Sequence, residues 1–343
     1  MVVAGLVSTI IPVYNRPRLA REAIESVLSQ SYRPIEIIAC DDGSTDDSVP
    51  VLESLAVAHP REIVVLRLSH RGPGPTREAG RLRARGEFIQ YLDSDDLLRP
   101  SKFAAQVRAL HDAPDCGVAY GPVSLKTDDG APSPEPFKWT GRRLPALFPS
   151  LLVDRWWTTE SPLYRRSLCD AIGPWSDLRW SQDWEYDARI GARGTRLAFC
   201  DDFLADHRHH DGVRQTSPAD WTTPERLRER KRFMGMLFRH AQAAGVTPEA
   251  PEMQHFSRWI FHLARQCAAA GLREEAAESF AWAEKAAGPV RARGMDFRLW
   301  TAATTLIGTR GAGFLARHWE RIARPVGTST LRQSWMTPGG RGR

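Results

Sequence analysis

The sequence predicts a doubly wound α/β fold followed by an all-α region, and three observations lead there. Short β-branched runs alternate with helix-period segments through roughly the first third of the chain. Polar, turn-forming stretches follow those runs at what would be the carboxyl ends of parallel strands, where such sheets collect ligands. From Pro224 onward only amphipathic helical stretches remain.

Val7 to Val13 is a β-branched run with the look of a buried parallel strand, and Pro12 is expected to stop its ladder near the end. Arg16 to Gln30 carries apolar residues at a helical period, with Pro17 near the first turn. Ile35 to Ala39 reads as a second strand that runs into Asp41-Asp42-Gly43-Ser44-Thr45-Asp46-Asp47. Gly43 makes the turn, and Ser44 or Thr45 is the expected cap of the next helix. Val49 to Ala58 (helix) and Ile63 to Leu68 (strand) follow, and the Gly/Pro loop Arg71 to Arg77 opens another helix. Next, the strand Glu87 to Tyr91 runs straight into Asp93, Asp95 and Asp96. Pro100 to Ala109 reads as a helix, Val118 to Lys126 as one strand, and Thr127 to Pro149 as an irregular excursion.

Three carboxylates within four positions repel one another and raise each other's pKa. A hard divalent cation, Mg²⁺ or Mn²⁺, offsets that cost and is typically held by one or two carboxylates plus substrate phosphates. The plain alternative is a solvated acidic turn.

The bulk numbers bound the answer. With 343 residues, 42% hydrophobic and 26% charged, the chain is long enough for one large domain or two ordinary ones and needs no staples. Five widely spaced cysteines without a CxxC pair argue against a zinc site or a disulfide framework. No basic leader or membrane-length apolar run is visible, so a soluble cytoplasmic protein is expected. Residues 1 to 220 hold 27 basic against 31 acidic side chains, and residues 221 to 343 hold 20 against 10. The basic part suits nucleic acid, an anionic lipid surface or a phosphorylated substrate, or is simply a solvated face.

Several motifs in order carry a family resemblance: Ile11-Pro12-Val13-Tyr14-Asn15, Gln30 to Ile38, Asp41 to Asp46, Gly86-Glu87-Phe88-Ile89 and Leu92-Asp93-Ser94-Asp95-Asp96. Over about residues 5 to 215 the chain resembles the family 2 glycosyltransferases of the GT-A fold, a Rossmann-like mixed sheet with helices on both faces. The resemblance implies an inverting enzyme that uses a nucleotide-sugar donor and a divalent metal, Mg²⁺ or Mn²⁺. It puts Pro12, Tyr14 and Asn15 in the donor crevice, Asp42, with Asp41, on the base, and Arg77 along the donor site. It gives Asp93 or Asp95 the ribose and Asp95 or Asp96 the metal of a DXD motif. His210 is implied as a metal or phosphate contact and Arg214 as a β-phosphate contact. Asp183, in Trp180-Ser181-Gln182-Asp183-Trp184, matches the family's catalytic base, with Glu185 and Asp187 as weaker candidates. Two positions depart from the pattern: Gln182 stands where the family often has Glu, and Glu78 where Asn commonly follows the arginine.

A UDP-sugar is the default donor, with dTDP- or GDP-sugars as alternatives. The expected acceptor is a carbohydrate, lipid-linked or small-molecule hydroxyl, with no nucleic acid partner. The expected boundaries are a catalytic domain over 1–220, a helical domain over 221–335 and a basic tail over 336–343. Leu299, Trp300, Leu306, Ile307, Phe314, Leu315 and Trp319, with neighbouring arginines, are read either as packing on the catalytic domain or as a peripheral face for the inner side of the cytoplasmic membrane. Phe137, Trp139, Trp156 and Trp157 are candidates for stacking on sugar rings or for the core. Two rival functions remain: an inactive scaffold of this fold, and a nucleotidyltransferase. The second would call for a Gly-rich basic loop where Tyr14-Asn15-Arg16-Pro17 stands.

Overall fold

The structure, a computed structural model, describes residues 1–127, 131–209 and 221–322. These divide into two units. One takes in Met1–Ala146, Arg155–Tyr186 and Thr195–Gly212, the other Leu147–Asp154, Asp187–Gly194 and Val213–Arg343, each over its described residues. The helical unit thus also draws two short segments from within the first 220 residues.

In the first unit, β1 (Val3–Val13), β2 (Ile35–Asp41), β3 (Ile63–Arg67) and β4 (Gly86–Tyr91) are parallel neighbours. They are linked through α1 (Pro17–Leu28), α2 (Ser48–Ala58) and α3 (Pro73–Arg83). The sheet continues through β8 (Leu163–Arg165), antiparallel to both its neighbours, to β6 (Cys116–Tyr120) and β9 (Arg196–Phe199), in the order β3-β2-β1-β4-β8-β6-β9. A smaller sheet orders β5 (Leu97–Leu98), β10 (Ala205–His209) and β7 (Val123–Thr127) as β5-β10-β7. Helices cover both faces. Val7, Ile11 and Val13 of β1 join the core with Ala20, Ile24 and Val27 of α1, Leu52 of α2, and Phe103 and Leu110 of α4 (Lys102–Asp112). Ile10 points to the opposite face, where a Cβ on Gly80 of α3 would come within 2.4 Å of its Cγ2, so only glycine lets α3 sit that close.

Three local expectations change. Pro12 lies past the end of the ladder with β4, as expected, but does not stop the ladder with β2, which runs on to Val13 paired with Asp41. Pairing with β4 ends at Ile10↔Tyr91, so the missing N–H falls beyond that ladder. Neither Ser44 nor Thr45 caps α2: the helix starts at Ser48, and Ser44 Oγ instead accepts the Asn15 N–H at 3.0 Å. The single strand read over Val118–Lys126 is two strands in different sheets, because Gly121-Pro122 breaks the ladder between them.

The helical unit contains α7 (Pro224–Ala243), α8 (Pro251–Ala269), α9 (Arg273–Arg291) and α10 (Met295–Ile322). The Arg226 N–H bonds Thr223 Oγ1 at the start of α7 (3.3 Å), and left-handed glycines interrupt α9 at Gly288 and α10 at Gly308. Small residues set the spacing: a Cβ on Gly313 would lie 2.3 Å from the Ala269 nitrogen, which brings α10 against α8. Of the apolar side chains expected to share one role on α10, Trp300 is buried beside Phe261, whereas Leu299, Leu306, Ile307, Phe314 and Leu315 are exposed. No described helix is long and apolar enough to cross a membrane.

Candidate active site

The carboxyl ends of β1, β2 and β4 bring three polar turns together. Asn15, in the left-handed region at φ 51°, is bonded to the β2 turn twice: its N–H donates to Ser44 Oγ, and its Oδ1 accepts the Thr45 N–H at 2.8 Å. The Arg16 N–H donates to Ser48 Oγ at 2.9 Å. The first two turns therefore hold each other.

Asp41 and Asp42 are both buried but serve different neighbours. The Asp41 carboxylate accepts the Gly43 and Ser44 N–H groups, each at 3.1 Å, and so shapes its own turn. Asp42 reaches across to the β3–α3 loop, where it accepts the Arg71 and Gly72 N–H groups at 2.9 and 3.0 Å with His70 Nδ1 at 3.0 Å. Tyr14 stacks on the His70 ring at 4.2 Å, and both rings keep an exposed edge.

Arg77 lies buried on α3, paired with Asp93 and 4.9 Å from the Trp175 ring centre. Its Nε and Nη1 are buried without a hydrogen-bond partner among the described residues. Such donors are costly to leave unmet. In the acidic turn the three carboxylates diverge: Asp93 pairs with Arg77, Asp95 with Arg16, and Asp96 turns inward.

Asp96 accepts the Arg208 N–H at 2.9 Å and lies 3.1 Å from His207 Nδ1. Glu160 lies 3.3 Å from the same nitrogen, and among the described residues neither of its carboxylate oxygens has a donor in hydrogen-bond geometry. Burial and the neighbouring Glu160 charge push the Asp96 carboxyl well above its ordinary range. Burial alone would lower the His207 imidazolium, but the two carboxylates override it and raise it well above an ordinary histidine. Glu160 is held below its usual range, its burial outweighed by His207.

Asp183 stands in the first turn of α6 (Gln182–Ala192), partly exposed at 28%. Its Oδ2 accepts Arg155 Nη1 at 2.7 Å and its Oδ1 the Trp184 N–H at 2.8 Å. Burial pushes the carboxyl up, yet Arg155, then Arg77, the Trp184 amide and Lys138 hold it below the usual carboxylate range. Upstream, Gly74 sits so close to Ser176 that a Cβ would lie 2.2 Å from its carbonyl oxygen, which fixes α3 against the segment leading to Asp183.

The structure thus places Pro12, Tyr14, Asn15, Asp41, Asp42, Arg77, Asp93, Asp95, Asp96 and Asp183 in one unit. His210 and Arg214 lie outside the described residues. Trp156 and Trp157 are fully buried, against Tyr120, and belong to the core, whereas Phe137 stacks on His207 at 5.1 Å. Sequence reasoning missed Arg16, His70, Arg155, Glu160 and His207. Only His207 had a local signal, its place in the histidine run.

Residues 8–162 match the family model described as glycosyl transferase family 2. A Nostoc protein described as an uncharacterized glycosyltransferase is 30% identical over 207 residues, 58% of this chain and 60% of that one. The chain spans less than two thirds of the length of this and other curated relatives that it matches. Among solved structures, S. aureus TarS 1-349 in complex with UDP aligns over 91% of both chains at 18% identity and TM-score 0.55. The mannosyltransferase PcManGT from Pyrobaculum calidifontis, in complex with GDP-Man and Mn²⁺, aligns over 92% of this chain and 87% of its own at 20% identity and TM-score 0.50. At those identities the structural likeness establishes the fold.

Proposed function

We propose, from the match of residues 8–162 to the glycosyl transferase family 2 model, that the protein moves a sugar from a nucleotide-diphosphate sugar to an acceptor hydroxyl by single displacement. The observation that carries this reading is the arrangement around Arg77. A buried guanidinium with two unmet nitrogens stands beside the acidic turn, and its charge reaches Asp183. Arginine donors of that kind suit diphosphate oxygens.

The donor is read as a UDP-sugar, with a GDP-sugar as the alternative. Asp42 already accepts two backbone N–H groups, but a carboxylate has about four lone-pair sites and can take one more N–H from a base. The stacked Tyr14 and His70 rings offer the base a flat neighbour. Asp93 is assigned to the ribose. Carboxylate oxygens are what Mg²⁺ and Mn²⁺ prefer, and Asp95, partly exposed, fits such an ion better than the enclosed Asp96. An ion bound there supplies neutralisation of the charge that develops on the departing diphosphate.

In the proposed step, Asp183 accepts the proton of the acceptor hydroxyl. The oxygen bonds to C1 as the C1–O bond to the diphosphate breaks, and the bonding pair leaves with the nucleoside diphosphate. One attack opposite the leaving group inverts the anomeric centre. Arg155 keeps Asp183 ionised and fixes its direction, at some loss of basicity.

That pairing predicts a pH effect. Activity needs the Asp183 carboxylate, so its acidic limb falls where that group protonates. In Arg155→Gln the strongest lowering influence is gone while burial stays, so the limb of kcat/KM moves to higher pH; an unmoved limb would detach Arg155 from the base.

The test of the function itself is release of nucleoside diphosphate from UDP- and GDP-sugars, with Mn²⁺ and with a chelator. Turnover of one nucleotide class that depends on the metal is expected. Absence of turnover with every donor, in the presence of carbohydrate acceptors, would favour the inactive scaffold.

A further inference from the structure

We infer that Asp96, Glu160 and His207 form a second, enclosed site for a divalent first-row transition cation, distinct from the ion assigned to the donor at Asp95. The three residues come from segments far apart in sequence: the turn after β4, the stretch before β8, and β10. One ligand atom from each lies within 4.8 Å of the others. The separations from His207 Nδ1, 3.1 Å to Asp96 and 3.3 Å to Glu160, are those of neighbouring ligands around an ion with bonds of about 2.0–2.2 Å.

The independent sign of a missing ligand is Glu160. Its side chain is 1% exposed, and among the described residues neither carboxylate oxygen has a donor in hydrogen-bond geometry. His207, shared with Asp96, lies 3.3 Å from it, and one imidazolium between two buried carboxylates leaves a net negative charge that is unfavourable unless a further cation meets it. Among the described residues no arginine or lysine does so. The Arg208 guanidinium turns to Glu22 and the Asp95 carbonyl, and its backbone N–H donates to Asp96. Lys102 Nζ, also buried, donates to the Ser161 carbonyl at 2.9 Å. Two carboxylates with one imidazole suit Mn²⁺ or Zn²⁺ rather than Ca²⁺ or Mg²⁺.

Such an ion would tie the acidic turn to β10 and to the turn that leads into β8. Its role is to hold the backbone behind Asp93 and Asp95, with no part in bond-making.

The experiment uses the full chain without nucleotide, stripped with chelator, reloaded with Mn²⁺ or Zn²⁺ and desalted, with metal content read by mass spectrometry and affinity by calorimetry. Wild type and Asp95→Ala are expected to retain one equivalent and to melt at a higher temperature with it. Glu160→Gln, nearly isosteric, is expected to bind at least about 100-fold more weakly, as is His207→Gln. Wild type that retains no metal, or Glu160→Gln that retains as much as wild type, would overturn the proposal and leave the trio as a proton-sharing cluster. The wild-type measurement decides even where a variant fails to fold.

Discussion

Asp183→Asn binds the donor with an affinity near wild type and transfers its sugar slower by about 10³-fold, within the range by which general bases contribute. The asparagine keeps the shape of the side chain and can still accept from Arg155, so the first turn of α6 stays in place. Only the ability to take a proton is lost. The effect belongs in kcat, since in the proposed step the residue meets the acceptor hydroxyl and leaves the nucleotide alone. Glu185→Gln is the control: Glu185 is nearly fully buried, and its replacement should leave the rate within a few-fold of wild type. A loss in Glu185→Gln equal to that in Asp183→Asn would move the base along the helix.

Asp95→Ala has the second large effect, on the donor itself. The three carboxylates of the acidic turn diverge, so they should not behave alike when removed. With Asp95 gone, donor affinity in Mn²⁺ should fall to the value measured with chelator, a drop of about 100-fold or about 2.7 kcal/mol. Asp96→Ala should act through the fold. It removes an enclosed acceptor of the Arg208 N–H and so lowers the melting temperature, whereas Asp95→Ala leaves it nearly unchanged. The comparison is read from two thermal melts and two donor titrations. A destabilised Asp95→Ala beside a stable Asp96→Ala would reverse the assignment.

What the sequence disclosed and what it hid divide by the range of the interactions. The alternation of β1, α1, β2 and α2 was legible because hydrophobic period is a local property of the chain. The turn at Asp41 was legible too, since Gly43 and Ser44 lie within three residues of the carboxylate they satisfy. The split between β6 and β7 was written in Gly121-Pro122 and was read past, because the residues on either side have strand propensity.

The inward turn of Asp96 was not legible. Its partner on β10 is 112 positions away, and only the pairing of β10 with β5 and β7 brings it near. Arg155 likewise meets Asp183 from 28 positions off, through a segment with no regular period. Glu160 gave no signal, as one acidic residue among serines and threonines reads as a surface loop until strand β8 places it inside.

The central claim is that this chain binds a nucleotide diphosphate through a metal at the acidic turn. Calorimetric titration of UDP and of GDP into the wild-type protein, with Mn²⁺ and then with chelator, tests it most directly. The account predicts one-to-one binding, favouring UDP and lost with chelator. Binding that ignores the chelator would contradict the role given to Asp95, and no heat from either nucleotide under any condition would contradict the donor site as a whole.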